Sequence, residues 1–286
     1  VGSEMCIRDR VPQSQTMPFD PMAPIQGQED CLTLNVWRPA NLPAGTTLPE
    51  ARRNRVVELA SHYGVPILED DPYGQLRYEG EHQPPLVEID SEYHGERSGK
   101  AAAGGRFRGG VIYLSSLSKT LAPGLRIAWV VAPTDVIGRL VQIKQGADLH
   151  TSTFNQMVAY ETARGGFLDQ HVRVLRDFYR LRRDAMLDAL QRYMPEGVEW
   201  TRPEGGLFLW LTLPAGDLEK VGAQAILQEA VKSKVVFVPG SAFFPGPSAD
   251  GRGERSMRLN FSYCTPEMIE VGIRRLSEVV AGAIGA

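Results

Sequence analysis

Residues 115–126 have the sequence SSLSKTLAPGLR, the most informative segment of the chain. It follows a short apolar run that is typical of a buried strand, and it places three serines, a lysine and an arginine around a Pro-Gly turn. Hydroxyls and cations brought together by a tight turn suit a phosphate group. A lysine in such a place can form a Schiff base if its ammonium is partly desolvated beside another cation. Taken alone, the segment also fits a solvated surface loop.

Two further segments carry polar residues at strand positions. Residues 68–73 (LEDDPY) place Asp70 and Tyr73 at the end of a predicted strand, where open α/β sheets collect their ligands. A carboxylate there can keep a ring nitrogen protonated, although an acidic turn with a packing tyrosine is the alternative. Residues 257–262 (MRLNFS) form an alternating strand with Arg258 on one face. Its guanidinium can bind a carboxylate with two hydrogen bonds, or it can lie in water.

Strands alternate with helices along the chain, which predicts α/β layers. The predicted helices are 49–63, 134–147, 152–164, 168–193, 217–233 and one from Pro266; the predicted strands are 65–69, 111–114, 127–132, 207–213, 234–238 and 257–262. Residues 47–50 match a capping box, Gly64 is a natural helix stop, and Thr265 is a natural N-cap. The glycine- and charge-rich stretch 91–110 reads as a surface loop.

Composition excludes several classes of function. Lysine plus arginine is 31 and aspartate plus glutamate is 34, a net charge of −3 that gives no reason to expect nucleic acid or an anionic membrane as partner. No apolar run reaches the roughly 18 residues of a membrane span. The three cysteines and five histidines form neither a disulfide framework nor a ligand spacing, so we expect no metal. A reducing compartment, the cytoplasm, fits the cysteines best.

Together the motifs resemble fold-type I pyridoxal-phosphate enzymes, in the branch of 2-aminoadipate and related aminotransferases. The pattern S-x-S-K-x-x-x-P-G-L-R, with D-x-x-Y upstream and M-R-L-N-F downstream, carries a resemblance that covers about residues 45–282. It implies a partial cofactor-binding large domain at 46–166, with a mostly parallel sheet and flanking helices. A smaller α/β domain would follow at 167–286. The resemblance also implies a homodimer that transfers an amino group between an L-amino acid and a 2-oxo acid.

The resemblance assigns roles to individual residues. Lys119 would hold pyridoxal 5'-phosphate as a Schiff base. The other roles are these: Asp70 pairs with the pyridine nitrogen, Tyr73 bonds the ring hydroxyl, Ser116, Ser118 and Arg126 bind the phosphate, and Arg258 holds the substrate's α-carboxylate. A cationic ring accepts electrons from the substrate Cα, and Lys119 then serves as general base.

The chain also departs from the family. Leu42 stands where an Asn-Pro-x-Gly motif has its asparagine, and the family's N-terminal phosphate loop and stacking aromatic have no equivalent. Residues 28–37 (QEDCLTLNVW) instead resemble type-B carboxylesterases, without the nucleophile elbow those enzymes need. We therefore expect residues 1–45 to be a foreign or disordered segment, joined at about 40–46, and the chain to be a poor transaminase. The alternatives are a cofactor-binding sensor domain of a transcription regulator, an inactive fragment and a carbon–sulfur lyase.

Overall fold

Two β-sheets organise the part of the chain that the structure describes. A computed structural model describes residues 47–98, 109–216, 222–244 and 251–285. Three strands from the first half form one sheet, and four strands from the second half form another. Helices separate most of these strands along the chain, as the α/β prediction requires. The predicted foreign segment 1–45 lies outside the described residues.

The first sheet contains β1 (Ile67–Asp70), β2 (Val111–Ser116) and β3 (Ala128–Val131), in that order. Strands β1 and β2 are parallel, with Asp70 opposite Leu114, whereas β2 and β3 are antiparallel. The described part of this sheet is therefore mixed, with one parallel and one antiparallel pair of strands. The physical reason is the short connection after β2, because a parallel pair needs a long crossover. A hydrogen bond of 3.1 Å from the Leu117 amide to the Ile127 carbonyl closes that connection.

Helix α1 (Glu50–Tyr63) precedes β1, and helix α2 (Leu86–Ser98) connects β1 to β2. The predicted surface loop at 91–110 is wrong for residues 91–98, which belong to α2; residues 99–108 lie outside the described part. Helix α2 buries Ile89 and Asp90 against the rest of the fold. The Asp90 carboxylate accepts a hydrogen bond of 2.9 Å from the Val111 amide at the start of β2.

The two ends of α1 differ in how well the sequence predicted them. Gly64 ends the helix in the left-handed region with a φ of 66°, as predicted. The capping box is wrong, because Pro49 is the N-cap and no side chain caps the helix. The hydroxyl of Thr47 accepts a hydrogen bond of 3.0 Å from the Arg77 guanidinium instead. A distant arginine therefore competes for the hydroxyl that the local pattern assigns to the helix.

Three helices follow the first sheet: α3 (Thr134–Ala147), α4 (Thr153–Ala163) and the long α5 (Phe167–Tyr193). All three lie within a residue of their predicted bounds. Gly165 and Gly166, both with positive φ, form the turn that separates α4 from α5. The predicted domain boundary falls at this turn, and it stays a prediction.

The second sheet is antiparallel and has the order β4-β5-β7-β6. Its strands are β4 (Glu199–Trp200), β5 (Phe208–Thr212), β6 (Val238–Pro239) and β7 (Ser256–Asn260), and two further helices are α6 (Ala223–Lys232) and α7 (Pro266–Ile284). The predicted strand at 234–238 is wrong for residues 234–237, because β6 begins at Val238. Thr265 caps α7 as predicted, since its hydroxyl accepts a hydrogen bond from the Met268 amide.

The main apolar core lies between this second sheet and helices α5 and α7. Its largest fully buried members include Leu190, Leu211, Met257, Phe261 and Leu276. Burial of one such side chain stabilises the fold by roughly 1.5–3 kcal/mol. The second half of the chain therefore carries most of this core, and Tyr78 from the first half also belongs to it.

Candidate active site

Lys119 lies in the turn that follows β2, at the carboxyl end of the strand. Amide hydrogen bonds from Leu121 and Ala122 to the Leu117 carbonyl, of 2.9 and 3.0 Å, hold this turn. The half-buried lysine places its Nζ 6.0 Å from the centroid of the Tyr73 ring. Across the described residues, no carboxylate forms an ion pair with this ammonium. Its amine therefore has no described acidic partner to displace.

The three predicted phosphate ligands belong to the same closed turn. The hydroxyl of Ser116 accepts a hydrogen bond of 3.3 Å from the Ser118 amide, so these two residues are in contact. Arg126 has a left-handed φ of 55°, and within the described ranges its exposed guanidinium makes one long contact, of 3.5 Å, with the Pro123 carbonyl. Asn155, which sequence reasoning missed, donates a hydrogen bond of 3.1 Å to the Leu125 carbonyl. That bond ties helix α4 to the turn.

Asp70 and Asp71 have different surroundings at the end of β1. The Asp71 carboxylate accepts a hydrogen bond of 3.3 Å from the Tyr113 hydroxyl, and its carbonyl accepts one of 2.8 Å from Ser115. Asp70 is exposed, and its charge acts on Tyr73. The two neighbouring carboxylates therefore act on different tyrosines, Asp70 on Tyr73 and Asp71 on Tyr113. The Asp70 assignment itself stays a prediction.

Tyr73 lies between the lysine and the second sheet. Burial raises the pKa of its hydroxyl; the positive charge of Arg258 opposes that shift, and the negative charge of Asp70 adds to it. Its ring meets the Phe208 ring edge-on, with 5.9 Å between the centroids. Tyr73 is thus the described residue through which the lysine, the carboxylate and the arginine are linked.

Arg258 lies on β7, opposite Trp210 of β5 and Val238 of β6. Its guanidinium carbon is 4.0 Å from the Phe208 ring centroid and 4.8 Å from that of Phe243. Burial lowers the pKa of this guanidinium. The structure therefore brings Arg258 towards Tyr73 by way of Phe208, although the two sheets are far apart in sequence.

The described residues fit pyridoxal phosphate in their chemistry. A lysine amine without an acidic partner suits covalent attachment to an aldehyde, and two hydroxyls with a nearby arginine suit a phosphate. A carboxylate suits a protonated ring nitrogen, and a phenol suits the ring oxygen. No group of three metal-binding side chains occurs in the described ranges, and no helix there is long and apolar enough to cross a membrane.

Fold and site chemistry are those expected of a pyridoxal-phosphate enzyme of fold type I, and comparison with known proteins gives the family. The family model of aminotransferase class I and II matches residues 38–276. The chain therefore belongs to the aminotransferase class I and II family. The matched region begins after residues 28–37, and the resemblance of those residues to carboxylesterases stays a prediction.

Individual relatives agree with this assignment. The chain is 45% identical over 238 residues to aromatic-amino-acid aminotransferase 1 of Thermococcus litoralis, covering 83% of the chain and 51% of the relative. The solved multiple substrate aminotransferase from Thermococcus profundus superposes with a TM-score of 0.73 and 43% identity, covering 85% of the chain and 54% of that structure. The chain thus spans about half the length of the relatives it matches.

A second solved structure contains a derivative of the cofactor. It is the α-aminoadipate aminotransferase LysN from Thermus thermophilus, complexed with N-(5'-phosphopyridoxyl)-L-leucine. Its TM-score is 0.72 and its identity 37%, and the match covers 85% of the chain and 57% of that structure. The fold expectation is thereby confirmed: the described α/β layers are those of fold-type I aminotransferases.

Proposed function

We propose that the protein of which this chain is part is an aminotransferase that binds pyridoxal phosphate through Lys119. The observation that supports this most directly is the position of the Lys119 amine, 6.0 Å from the Tyr73 ring and without a described acidic partner. When bound, the cofactor supplies an electron sink for the carbanion that forms at the substrate Cα. The substrates are an L-amino acid and a 2-oxo acid.

Each site residue has a separate task in this proposal. Asp70 holds a proton at the ring nitrogen, and Tyr73 hydrogen-bonds the ring oxygen. Ser116, Ser118 and Arg126 bind the phosphate. Arg258 binds the α-carboxylate, and the Lys119 amine moves the proton at Cα.

The first experiment identifies the lysine. The purified chain is incubated with pyridoxal phosphate, reduced with borohydride and digested, and the labelled peptide is identified by mass spectrometry. We expect the label on Lys119, and its loss in Lys119→Arg. Lys144, whose amine is paired with Asp148 at 2.8 Å on the exposed face of α3, is the matched control. Stable labelling of Lys144, or of any lysine other than Lys119, would refute the assignment.

The second experiment separates an enzyme from a cofactor-binding sensor. Amino transfer from 2-aminoadipate, leucine or glutamate to an oxo acid is measured for the wild type and for Lys119→Ala. Turnover that disappears in the variant supports the enzyme. Labelling of Lys119 without any turnover would favour the sensor or an inactive copy.

Three finer proposals go with this function. We propose that the protein acts as a homodimer in the cytoplasm, since the family resemblance implies a dimer and the cysteines fit a reducing compartment. We further propose that residues 28–37 come from a carboxylesterase reading frame, joined to the aminotransferase sequence at about residues 40–46. Sequencing the gene across codons 28–46 from the source genome tests the last of these.

A further inference from the structure

The guanidinium of Arg258 lies between the rings of Phe208 and Phe243. The distances from its central carbon to the two ring centroids, 4.0 and 4.8 Å, are within the range of about 6 Å for a cation–π contact. We propose that Phe208 and Phe243 are positioning residues, which fix the guanidinium of Arg258 so that its N–H donors meet a substrate carboxylate. This inference rests on the proposed role of Arg258.

The donors of Arg258 are free for a ligand within the described ranges. No carboxylate of those ranges forms an ion pair with the guanidinium, and Tyr73 is the one titratable side chain found to raise the Arg258 pKa. By contrast, the guanidinium of the buried Arg183 donates hydrogen bonds to Asp184 and to the Pro203 carbonyl. Ring faces stabilise the charge of Arg258 without occupying its in-plane N–H groups.

Two independent elements hold the rings. Phe208 begins β5 and lies on the same face as Trp210, which pairs with Arg258 on β7. Phe243 ends the short 3₁₀ turn Gly240–Phe243, and its ring meets the Trp210 ring edge-on at 5.4 Å. A side chain at Gly240 would place its Cβ 2.6 Å from the Gly253 carbonyl oxygen, so the turn is closely packed against its neighbour.

Phe208 also sets the spacing between the carboxylate site and the lysine. Its edge-on contact with Tyr73 is 5.9 Å between centroids, and the Lys119 amine is 6.0 Å from the same Tyr73 ring. Removal of the Phe208 ring therefore frees the guanidinium and also unpacks Tyr73. Removal of the Phe243 ring frees the guanidinium and loses the contact with Trp210 but leaves Tyr73 packed on Phe208, so the two variants have different signatures.

The test measures the arginine and the ligand separately. The Nε–H signal of Arg258, assigned by its loss in Arg258→Lys, is followed by ¹⁵N NMR in the full chain. Affinity for pyruvate, which has a single carboxylate, is measured by ligand-observed NMR titration. The variants are Phe208→Leu, Phe243→Leu, the conservative Phe208→Tyr, and Phe178→Leu. The last is the matched control, because Phe178 stacks on Arg182 at 3.4 Å on the surface of α5.

We expect the two rings to shift the wild-type Arg258 Nε–H signal upfield. In Phe208→Leu and in Phe243→Leu, its chemical shift should move towards that of a solvated arginine. Loss of either ring should weaken pyruvate binding about fivefold. Phe208→Tyr and Phe178→Leu should bind as the wild type does. If the wild-type Arg258 signal already had the chemical shift of a solvated arginine, the proposed positioning by the two rings would be overturned.

Two other outcomes also count against the inference. Unchanged pyruvate affinity in Phe208→Leu and Phe243→Leu, with loss of affinity in Arg258→Lys, would refute positioning and leave the proposed role of Arg258 intact. Equal affinity of the wild type and Arg258→Lys would refute that role itself, and the positioning role would fall with it.

Discussion

Replacement of Arg183 by methionine tests a buried charge at the junction between the two halves of the chain. The guanidinium is 4% exposed and donates a hydrogen bond of 2.9 Å to the Pro203 carbonyl. It also forms ion pairs of 2.7 Å with Asp184 and 2.5 Å with Glu79. Glu79 precedes the second half by a long stretch of sequence, so the arginine connects the region after β1 with helix α5.

The expected loss of stability follows from the exposure of the partners. The carboxylates of Glu79 and Asp184 are 56% and 49% exposed, so both regain water when the arginine is removed. Their ion pairs therefore contribute at most about 1 kcal/mol. The buried hydrogen bond from a charged donor to Pro203 contributes roughly 1.5–3 kcal/mol. Together these give about 2–4 kcal/mol, or a Tm lower by about 4–16 °C for a chain of this size.

Thermal unfolding followed by circular dichroism measures this loss. Arg180→Met is the matched control, because Arg180 lies one turn earlier on α5 and pairs with Asp177 in a site where the two side chains are 49% and 71% exposed. We expect the control to change Tm by no more than about 2 °C. Equal Tm values for Arg183→Met and Arg180→Met would show that the buried hydrogen bond contributes nothing, and the reasoning would be wrong.

Three further predictions concern stability. Gly205→Ala should lower Tm by several degrees, because a Cβ would lie 2.6 Å from the Leu76 carbonyl oxygen; an unchanged Tm would contradict this close approach. Thr265→Ala should cost about 1 kcal/mol in urea unfolding through loss of the α7 cap, whereas Thr265→Ser should not. Burial raises the pKa of Glu69, so the folded state holds that proton more tightly than the unfolded chain does. The free energy of unfolding of the wild type, relative to that of Glu69→Gln, should therefore fall as pH rises from about 4. If this difference did not change with pH, burial would not be the dominant effect on the Glu69 pKa.

Local chemistry made much of the fold predictable. Apolar runs bounded by turn residues located β1, β2 and β3, and the signals of Gly64 and Thr265 fixed two helix ends. Helix α2 was not predicted because its charged residues and Gly95 resemble a loop. Its Asp90 is buried through a hydrogen bond to a strand about twenty residues later in the chain. The missing cap of α1 also results from a long-range contact, because the Thr47 hydroxyl accepts a hydrogen bond from Arg77 instead of capping the helix. Long-range contacts decided both cases.

The candidate site divides in a similar way. Lys119 and Asp70 were visible in sequence because each follows a strand in a recognisable motif. Phe243 gave no signal, since it is 35 positions from Phe208 and only the pairing of β5, β6 and β7 brings the two rings together. The sequence indicated Arg258 as a candidate carboxylate-binding residue, but it did not predict the aromatic rings beside it. Sequence thus indicated the charged groups of the site, and the structure was needed for the apolar groups that orient them.

The short bridge between residues 76–79 and 204–206 has a mechanical consequence. The Gly206 amide donates to the Leu76 carbonyl at 2.8 Å, and the Tyr78 amide donates to the Glu204 carbonyl at 2.7 Å. If the second sheet rotated relative to the first, residues 76–79 would move together with residues 204–206. The torsion would then fall on the few residues between β1 and Leu76, where Tyr73 lies. The Tyr78 and Gly206 amides should therefore open together and show similar protection factors in hydrogen–deuterium exchange.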